Sequence, residues 1–222
     1  MERCLIWCDR QPHSPHLNMA LDEALLCGER CDTILRWYFW DRECVSFGYG
    51  QSFAVVKEEA PAPYYVRRWT GGGCVSHGGD MTFSIIFPKA TGWSVLPPRQ
   101  IYCEIHGAVA DLAGQVLGIS CHLAGEEEVR NGVSCFFSPS LADVISCDGQ
   151  KLCGGAIRKT RWGMLYQGSL RMNGVEGDFF GRLADLLFGC REEWVPDGKI
   201  FEAAEQLAVE KYGTLGWLER IA

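Results

Sequence analysis

The 222-residue chain has no apolar run approaching the roughly 18–20 residues that cross a membrane. Its first residues, Met1-Glu2-Arg3-Cys4-Leu5-Ile6-Trp7, form no signal-peptide core, and Asp9 and Arg10 interrupt them. Neither export nor insertion is expected, which leaves a cytoplasmic protein as the default. Positive charge is scarce: 21 Lys and Arg stand against 28 Asp and Glu, for a net charge of −7. That balance opposes nucleic acid, which binds basic faces. Outside one glycine-rich stretch the densest basic cluster is Arg158, Lys159 and Arg161, either a solvated loop or a contact for an acidic partner. The twelve cysteines include no Cys-x-x-Cys pair, and the two Cys-x-x-x-Cys pairs, Cys4/Cys8 and Cys27/Cys31, lack histidines in metal-finger register. Without export most of them are read as small core residues, neither disulfides nor ligands of a structural metal. No internal repeat, low-complexity segment or linker divides the chain, so one domain over residues 1–222 is expected.

The hydrophobic pattern alternates between two periods. Residues 3–8, 33–40, 64–66, 81–88 and 163–172 are β-branched or aromatic runs of strand length, and 44–48 reads as a partner of 33–40. Asp148-Gly149 is a hairpin turn between 142–145 and 151–156. Helical spacing runs from a cap at Asn18 through Leu26, over 98–117, and again over 178–188 and 200–211. Helices and hairpins without a βαβ rhythm indicate an α+β domain with a mixed, largely antiparallel sheet flanked by helices.

The most informative stretch is Arg67-Arg68-Trp69-Thr70-Gly71-Gly72-Gly73-Cys74-Val75-Ser76-His77. Three glycines between strands let backbone approach a bound molecule closely. Arg67 and Arg68 add donors suited to a phosphate or carboxylate, and His77 adds a titratable ring. The plain alternative is a hairpin whose glycines serve only the turn. Two further groups are candidates. Cys135, in Val133-Ser134-Cys135-Phe136-Phe137-Ser138-Pro139-Ser140, is a possible nucleophile if a neighbouring cation lowers its pKa. Lys151 is such a cation, although a lysine beside a turn is usually solvated. The residues alone lead to a ligand-binding or acyl-transfer α+β domain.

Three blocks resemble the lipoate/biotin protein ligase and octanoyltransferase superfamily. Asn18-Met19-Ala20-Leu21-Asp22-Glu23-Ala24-Leu25-Leu26 is similar to its N-terminal helix. Residues 67–77 look like its Arg-Arg-x-(Ser/Thr)-Gly-Gly-Gly-x-Val-x-His motif. Gly149-Gln150-Lys151-Leu152-Cys153-Gly154-Gly155-Ala156, followed by Gln167-Gly168-Ser169-Leu170, resembles Gly-(Lys/Arg)-Lys-(Ile/Val)-x-Gly-x-Ala and His-Gly-(Ser/Thr)-(Leu/Ile), with Gln167 where many members have His. The resemblance implies a core like that of class II aminoacyl-tRNA and biotin synthetases. It implies catalysis by Cys135, Lys151 and His77, and substrate binding by Arg67, Arg68, Gly71, Gly72, Gly73, Gly154, Gly155, Ala156 and Gly168.

Two reactions occur in that superfamily. Transferases move octanoate (or lipoate) from an acyl carrier protein thioester, through a cysteinyl thioester, to a lysine of a lipoyl-domain protein such as the glycine cleavage H protein or a 2-oxoacid dehydrogenase E2 subunit. They need no cofactor beyond that covalent acyl group. Ligases use ATP and Mg to make a lipoyl-adenylate. His77-Gly78-Gly79-Asp80-Met81-Thr82-Phe83-Ser84 resembles the transferases' His-x-x-(Asp/Glu)-x-Thr-Tyr-Ser, and residues 135–140 resemble their Cys-Phe-x-x-Pro-Ser. Roughly fifty residues follow the last motif, so no accessory C-terminal domain is expected. Transfer is therefore the expected reaction, with ligation and a non-catalytic acyl-binding member as alternatives. Cys190, in Phe188-Gly189-Cys190-Arg191, is a rival nucleophile, read first as a packing residue.

Overall fold

Ser14, not Asn18, begins the first helix. In the computed structural model, which describes residues 2–28, 31–129, 139–175 and 178–220, the Ser14 hydroxyl accepts from the Leu17 N–H at 3.2 Å and Pro15 occupies the first turn, where its missing N–H costs nothing. Asn18 lies one turn inside. Its amide donates to Phe39 O at 2.9 Å, and its oxygen accepts from Arg36 at 2.7 Å. The residue expected to cap the helix instead fastens it to a strand.

In chain order the elements are β1 (Glu2–His13), α1 (Pro15–Cys27), β2 (Thr33–Trp40), β3 (Cys44–Phe47), α2 (Phe53–Glu59), β4 (Tyr65–Arg67), β5 (Val75–His77), β6 (Met81–Pro88), α3 (Pro98–Leu117), β7 (Cys121–Leu123), β8 (Val144–Ser146), β9 (Lys151–Lys159), β10 (Gly163–Leu170), α4 (Phe179–Phe188), β11 (Gly189–Glu193), α5 (Gly198–Leu207) and α6 (Leu215–Leu218). The eight-stranded sheet runs β11-β1-β2-β6-β10-β9-β8-β7, and a three-stranded sheet runs β4-β3-β5. Parallel pairing is confined to β11-β1-β2 in the large sheet and to β3-β4 in the small one. The architecture is the expected α+β, with a mixed, largely antiparallel sheet.

Two pairings differ from expectation. β3 is not the partner of β2, because both edges of β2 are taken by β1 and β6. It crosses into the small sheet. Nor do the glycines close a hairpin: β4 and β5 lie on opposite sides of β3, so residues 68–74 pass over the end of that strand. β6 then returns to the large sheet, which leaves the small sheet poised above it.

Alternation along β6, β9 and β10 sends two kinds of side chain to two faces. Phe83, Ile85, Phe87, Met164, Tyr166, Leu170 and Cys153 go to the face covered by α3 and α4, where they form the larger core. Ile86 and Leu165 join Leu5, Trp7 and Ile34 under α1 and α5 on the other face. Further along that second face the pattern turns polar and small: Thr82, Ser84, Gln167, Ser169, Gly154 and Ala156. A sheet face without large side chains cannot fill its own space, and the opening lies there. No described helix is long and apolar enough to cross a membrane.

One buried ion cluster joins α1 to this sheet. Arg36 is fully buried on β2. Its guanidinium donates to Asp9 at 2.7 Å and 3.0 Å and to Asp22 at 2.8 Å, and it lies 4.0 Å from the Tyr38 ring centre. Burial pulls its proton affinity down, but the two carboxylates outweigh that and the pKa is raised. Removing one partner of such a cluster strands charge in the interior. Arg36→Leu should therefore cost about 3–5 kcal/mol of stability, read from a urea titration.

Candidate functional site

The opening between the two sheets has a volume of about 490 Å³, counting the part open to solvent. Met19 of α1 and Tyr38 and Trp40 of β2 make one wall. Val75 and His77 of β5, with Ser46 of β3, make another. The floor is Gly154, Gly155 and Ala156 of β9 with Gly168 of β10. Mostly apolar walls and a glycine-lined floor give the slot the character of a site for an apolar group.

Of the glycine triplet only Gly72 lines the slot; its φ of +85° is the left-handed region denied to most side chains. The carbonyls of Gly71 and Gly73 accept from Arg68 Nη2 at 2.9 and 2.8 Å. Arg68 does reach the slot, yet its Nη1 is also held, donating to Ser46 Oγ at 2.8 Å. Within the protein it staples the loop to β3. Arg67 is elsewhere. Fully buried, it donates to the carbonyls of Tyr49 (2.7 Å), Gln51 (2.8 Å), Leu218 (2.8 Å) and Arg220 (3.1 Å), tying the last helix to the 48–51 turn. It does not line the slot.

His77 is built into a relay. Its ring stacks on Trp40 with centroids 4.0 Å apart. Nδ1 lies 2.8 Å from Asp80 Oδ2, and Nε2 lies 2.7 Å from Ser46 Oγ. A carboxylate only accepts, so Nδ1 carries the proton. Ser46 already accepts from Arg68 and has its own proton to give to Nε2. Asp80 also accepts from the hydroxyls of Thr82 and Ser169. Burial pushes the Asp80 carboxyl up, but His77 and these hydroxyls pull harder and hold it below the usual carboxylate range. A carboxyl with a depressed folded-state pKa stabilises the fold above its unfolded pKa of about 3.9, and that contribution is lost as pH falls through the folded value. Asp80→Asn should thus cost about 1.5–3 kcal/mol at neutral pH, the scale of charged hydrogen bonds. The deficit should shrink as pH drops below about 4, which thermal midpoints measured across that range would show.

Lys151 crosses from the start of β9 to Asp143, with Nζ 2.6 Å from Oδ2 and both side chains buried. It does so over Gly154, where any Cβ would collide with the lysine's Cε and Nζ. The same Oδ2 accepts from the Ser140 N–H at 2.6 Å. One carboxylate therefore joins the ammonium to the end of the Pro139-Ser140 segment. Gly155 and Gly168 answer to the opposite face: a Cβ at either would strike the Tyr166 ring, and at Gly168 also the Phe83 ring. Packing alone is sufficient reason for these two glycines.

Gln167 stands where many members of the superfamily have histidine. Its amide donates to Asp22 Oδ2 at 2.7 Å, and its oxygen accepts from Thr70 at 2.7 Å. Asp22 also accepts from Arg36 and from Ser84 at 2.8 Å each. The glycine loop is thereby tied through Gln167 to the buried ion cluster. A neutral imidazole offers one donor and one acceptor; the carboxamide offers both as well, and the site uses both.

Cys135 lies outside the described residues. The eleven cysteines within them are free thiols. Cys4, Cys44, Cys74 and Cys153 are buried as expected, whereas Cys31, Cys103, Cys147 and Cys190 are exposed. Cys190 stands on the edge strand β11 opposite Arg3. That row of the sheet is roughly 20 Å along the strands from Tyr38, and Cys190 does not line the slot. Ser46, Asp143 and the Asp22–Gln167 pair went unread in the sequence. Asp80 was visible only as the fourth position of the His77 motif.

A slot between a mixed eight-stranded sheet and a three-stranded sheet, lined by a lysine and a histidine, belongs to a fold shared with lipoate-protein ligases. The chain belongs to the lipoyl protein ligase A/B catalytic domain family, whose model matches residues 14–185. It is 30% identical over 176 residues to the octanoyltransferase LipM of Oceanobacillus iheyensis, covering 74% of this chain and 63% of the relative. To LipM of Moorella thermoacetica it is 33% identical over 182 residues, covering 76% and 65%. The chain thus spans less than two thirds of the length of these relatives. Among solved structures, a lipoate-protein ligase A bound with ATP superposes with a TM-score of 0.75 at 21% identity, over 100% of both chains. A bi-partite lipoate protein ligase of Thermoplasma acidophilum, described with its E2 lipoyl domain, gives 0.73 at 19% identity, over 100% of this chain and 97% of that one.

Proposed function

We propose that this chain transfers an octanoyl (or lipoyl) group from an acyl carrier protein thioester, through a thioester on Cys135, to a lysine of a lipoyl-domain protein. Candidate acceptors are the glycine cleavage H protein and 2-oxoacid dehydrogenase E2 subunits. The observation that carries this reading is the Asp143 carboxylate, which holds Lys151 at the slot and fastens Ser140, at the end of the Cys-Phe-x-x-Pro-Ser segment. Likeness to two octanoyltransferases at 30% and 33% identity supports it.

In the first step the Cys135 thiolate adds to the donor carbonyl, the carbonyl–sulfur bond of the donor breaks, and the carrier thiol leaves with a proton. In the second, the acceptor amine attacks the new thioester, loses a proton to a base, and frees the Cys135 sulfur. Lys151 supplies the cation that favours a thiolate and the donor that meets the oxyanion. His77, its Nδ1 proton fixed by Asp80, offers Nε2 to a proton through Ser46. Six methylenes and a terminal methyl buried at about 0.8 kcal/mol per carbon bind the chain firmly, but neighbouring chain lengths differ by only one such increment.

Ligation is the second reading, favoured by the fold likeness to an ATP-bound ligase. A magnesium–nucleotide complex would draw on carboxylates at the slot. Asp80 and Asp143 are each committed to protein partners, and Asp22 is buried under Gln167. Intact-mass measurement separates the readings. Incubation with octanoyl carrier protein should add one octanoyl group to the chain, and addition of a lipoyl domain should move that mass to the domain. Acyl-adenylate release from octanoate and ATP, with no mass gain from the carrier, would establish ligation instead.

A further inference from the structure

Ala142 is, among the described residues, the one non-glycine residue with positive φ, at +66°. Left-handed backbone at an L-residue persists only when its surroundings over-determine it, and here they do. The Ala142 N–H donates to Ala124 O at 3.0 Å, and the Asp143 carbonyl accepts from Ala124 N at 2.7 Å. The third restraint comes from a distant element. His106, buried in the middle of α3, places Nδ1 2.6 Å from Ala142 O. A carbonyl can only accept, so Nδ1 carries the proton. Nε2 is then the acceptor for the Tyr166 hydroxyl at 2.8 Å. Burial disfavours the imidazolium and keeps the ring in this neutral form.

The next residue is Asp143, whose carboxylate grips Lys151 and Ser140. We propose that His106 is a positioning residue for Lys151: by clamping the carbonyl of the left-handed Ala142 it fixes the direction of Asp143, and through Asp143 the place of the ammonium at the slot. Histidine suits the task because one ring must donate to a backbone carbonyl on one side and accept from a tyrosine on the other. Phenylalanine matches the ring and does neither. The consequence for turnover rests on the role given to Lys151 above; the positional claim does not.

The test reads Lys151 directly. Among the described residues, the titratable and charged groups around its ammonium include Asp143, with Cys153 and His106 behind it and Arg68 and His77 across the slot. In His106→Phe the clamp is lost, Asp143 swings away, and the amine is left without its carboxylate. Modification of Lys151 by a small amine-directed reagent at fixed neutral pH, located by peptide mass spectrometry, should then rise severalfold, because the amine is no longer shielded by its 2.6 Å ion pair with Asp143. Adding Ala142→Gly removes the backbone penalty that made the clamp necessary. The double variant should label at the unaltered rate. Equal labelling in His106→Phe and the unaltered chain, or a double variant that labels like the single one, overturns the proposal. Imidazole nitrogen NMR of the unaltered chain provides a check free of folding effects: an Nε2–H tautomer at His106 would also overturn it. If labelling responds as stated while no acyl group is ever transferred, the clamp stands and the transferase reading falls.

Discussion

Replacing Cys135 with serine should abolish the octanoyl mass increment on the intact chain and lower amide formation by a factor on the order of 10⁶, the scale of removing the nucleophile from an acyl-transfer site. The size of the effect follows from the chemistry. A thiolate exchanges with a thioester between states of similar energy, whereas a serine hydroxyl must shed its proton from a far weaker acid. Lys151 and Arg68, the permanent cations among the described lining residues, are already bound to Asp143 and Ser46. Neither arrangement compensates for a poorer nucleophile. Chain length allows the role: Cys135 precedes Ser140 by five residues, a length that spans at most about 18 Å, and Ser140 shares its carboxylate partner with Lys151. Cys190→Ser on the far sheet edge is the matched control and should leave both readouts unchanged. Unimpaired amide formation by Cys135→Ser, or loss of it in Cys190→Ser, would reverse the assignment.

The sequence carried the fold class because alternation and helical spacing are local. Runs such as 33–40 and 81–88, and the helix over 98–117, are long enough to override turn residues, and each forms where its pattern placed it. Pairing was less legible. β3 reads as a neighbour of β2 by proximity, yet β2 had no free edge, a fact set by β1 and β6 together. The short edge strands β7 and β11, at three and five residues, carry too little pattern to be read. At the site, residues whose chemistry is unusual for their setting were visible: His77, Lys151 and the glycine triplet. Those that act by contact across the chain were not. Asp143 is an unremarkable acid before a strand until Lys151 folds back over Gly154 to meet it. Arg67 and Arg68 are adjacent and chemically identical, and only their opposite directions at the end of β4 separate their destinations, Arg67 to the C-terminal carbonyls and Arg68 to the slot. Gln167, where many members of the superfamily have histidine, keeps a donor and an acceptor in the same place.

Lys151→Ala should lower formation of the acyl-enzyme by roughly 10²–10⁴-fold, the range for a positioned proton-transfer or oxyanion group. The variant also strands Asp143, and breaking a buried pair from one side costs about 3–5 kcal/mol. Loss of activity alone would therefore confuse chemistry with stability. Adding Asp143→Asn to Lys151→Ala separates them. The double variant has no unpaired buried charge, and an asparagine oxygen can still accept from Ser140 N, so most of the stability should return while transfer stays at the level of the single variant. Gly154→Ala approaches the same question from the floor of the slot. The lysine remains, but its Cε and Nζ must leave the path over β9 that a methyl would occupy, so the rate should fall with the ammonium intact. Loss of transfer in Lys151→Ala that returns with stability in the double variant would reduce the lysine to a structural counter-ion. Loss that persists in a restored fold, and recurs when the ammonium is merely displaced, assigns the charge to the reaction.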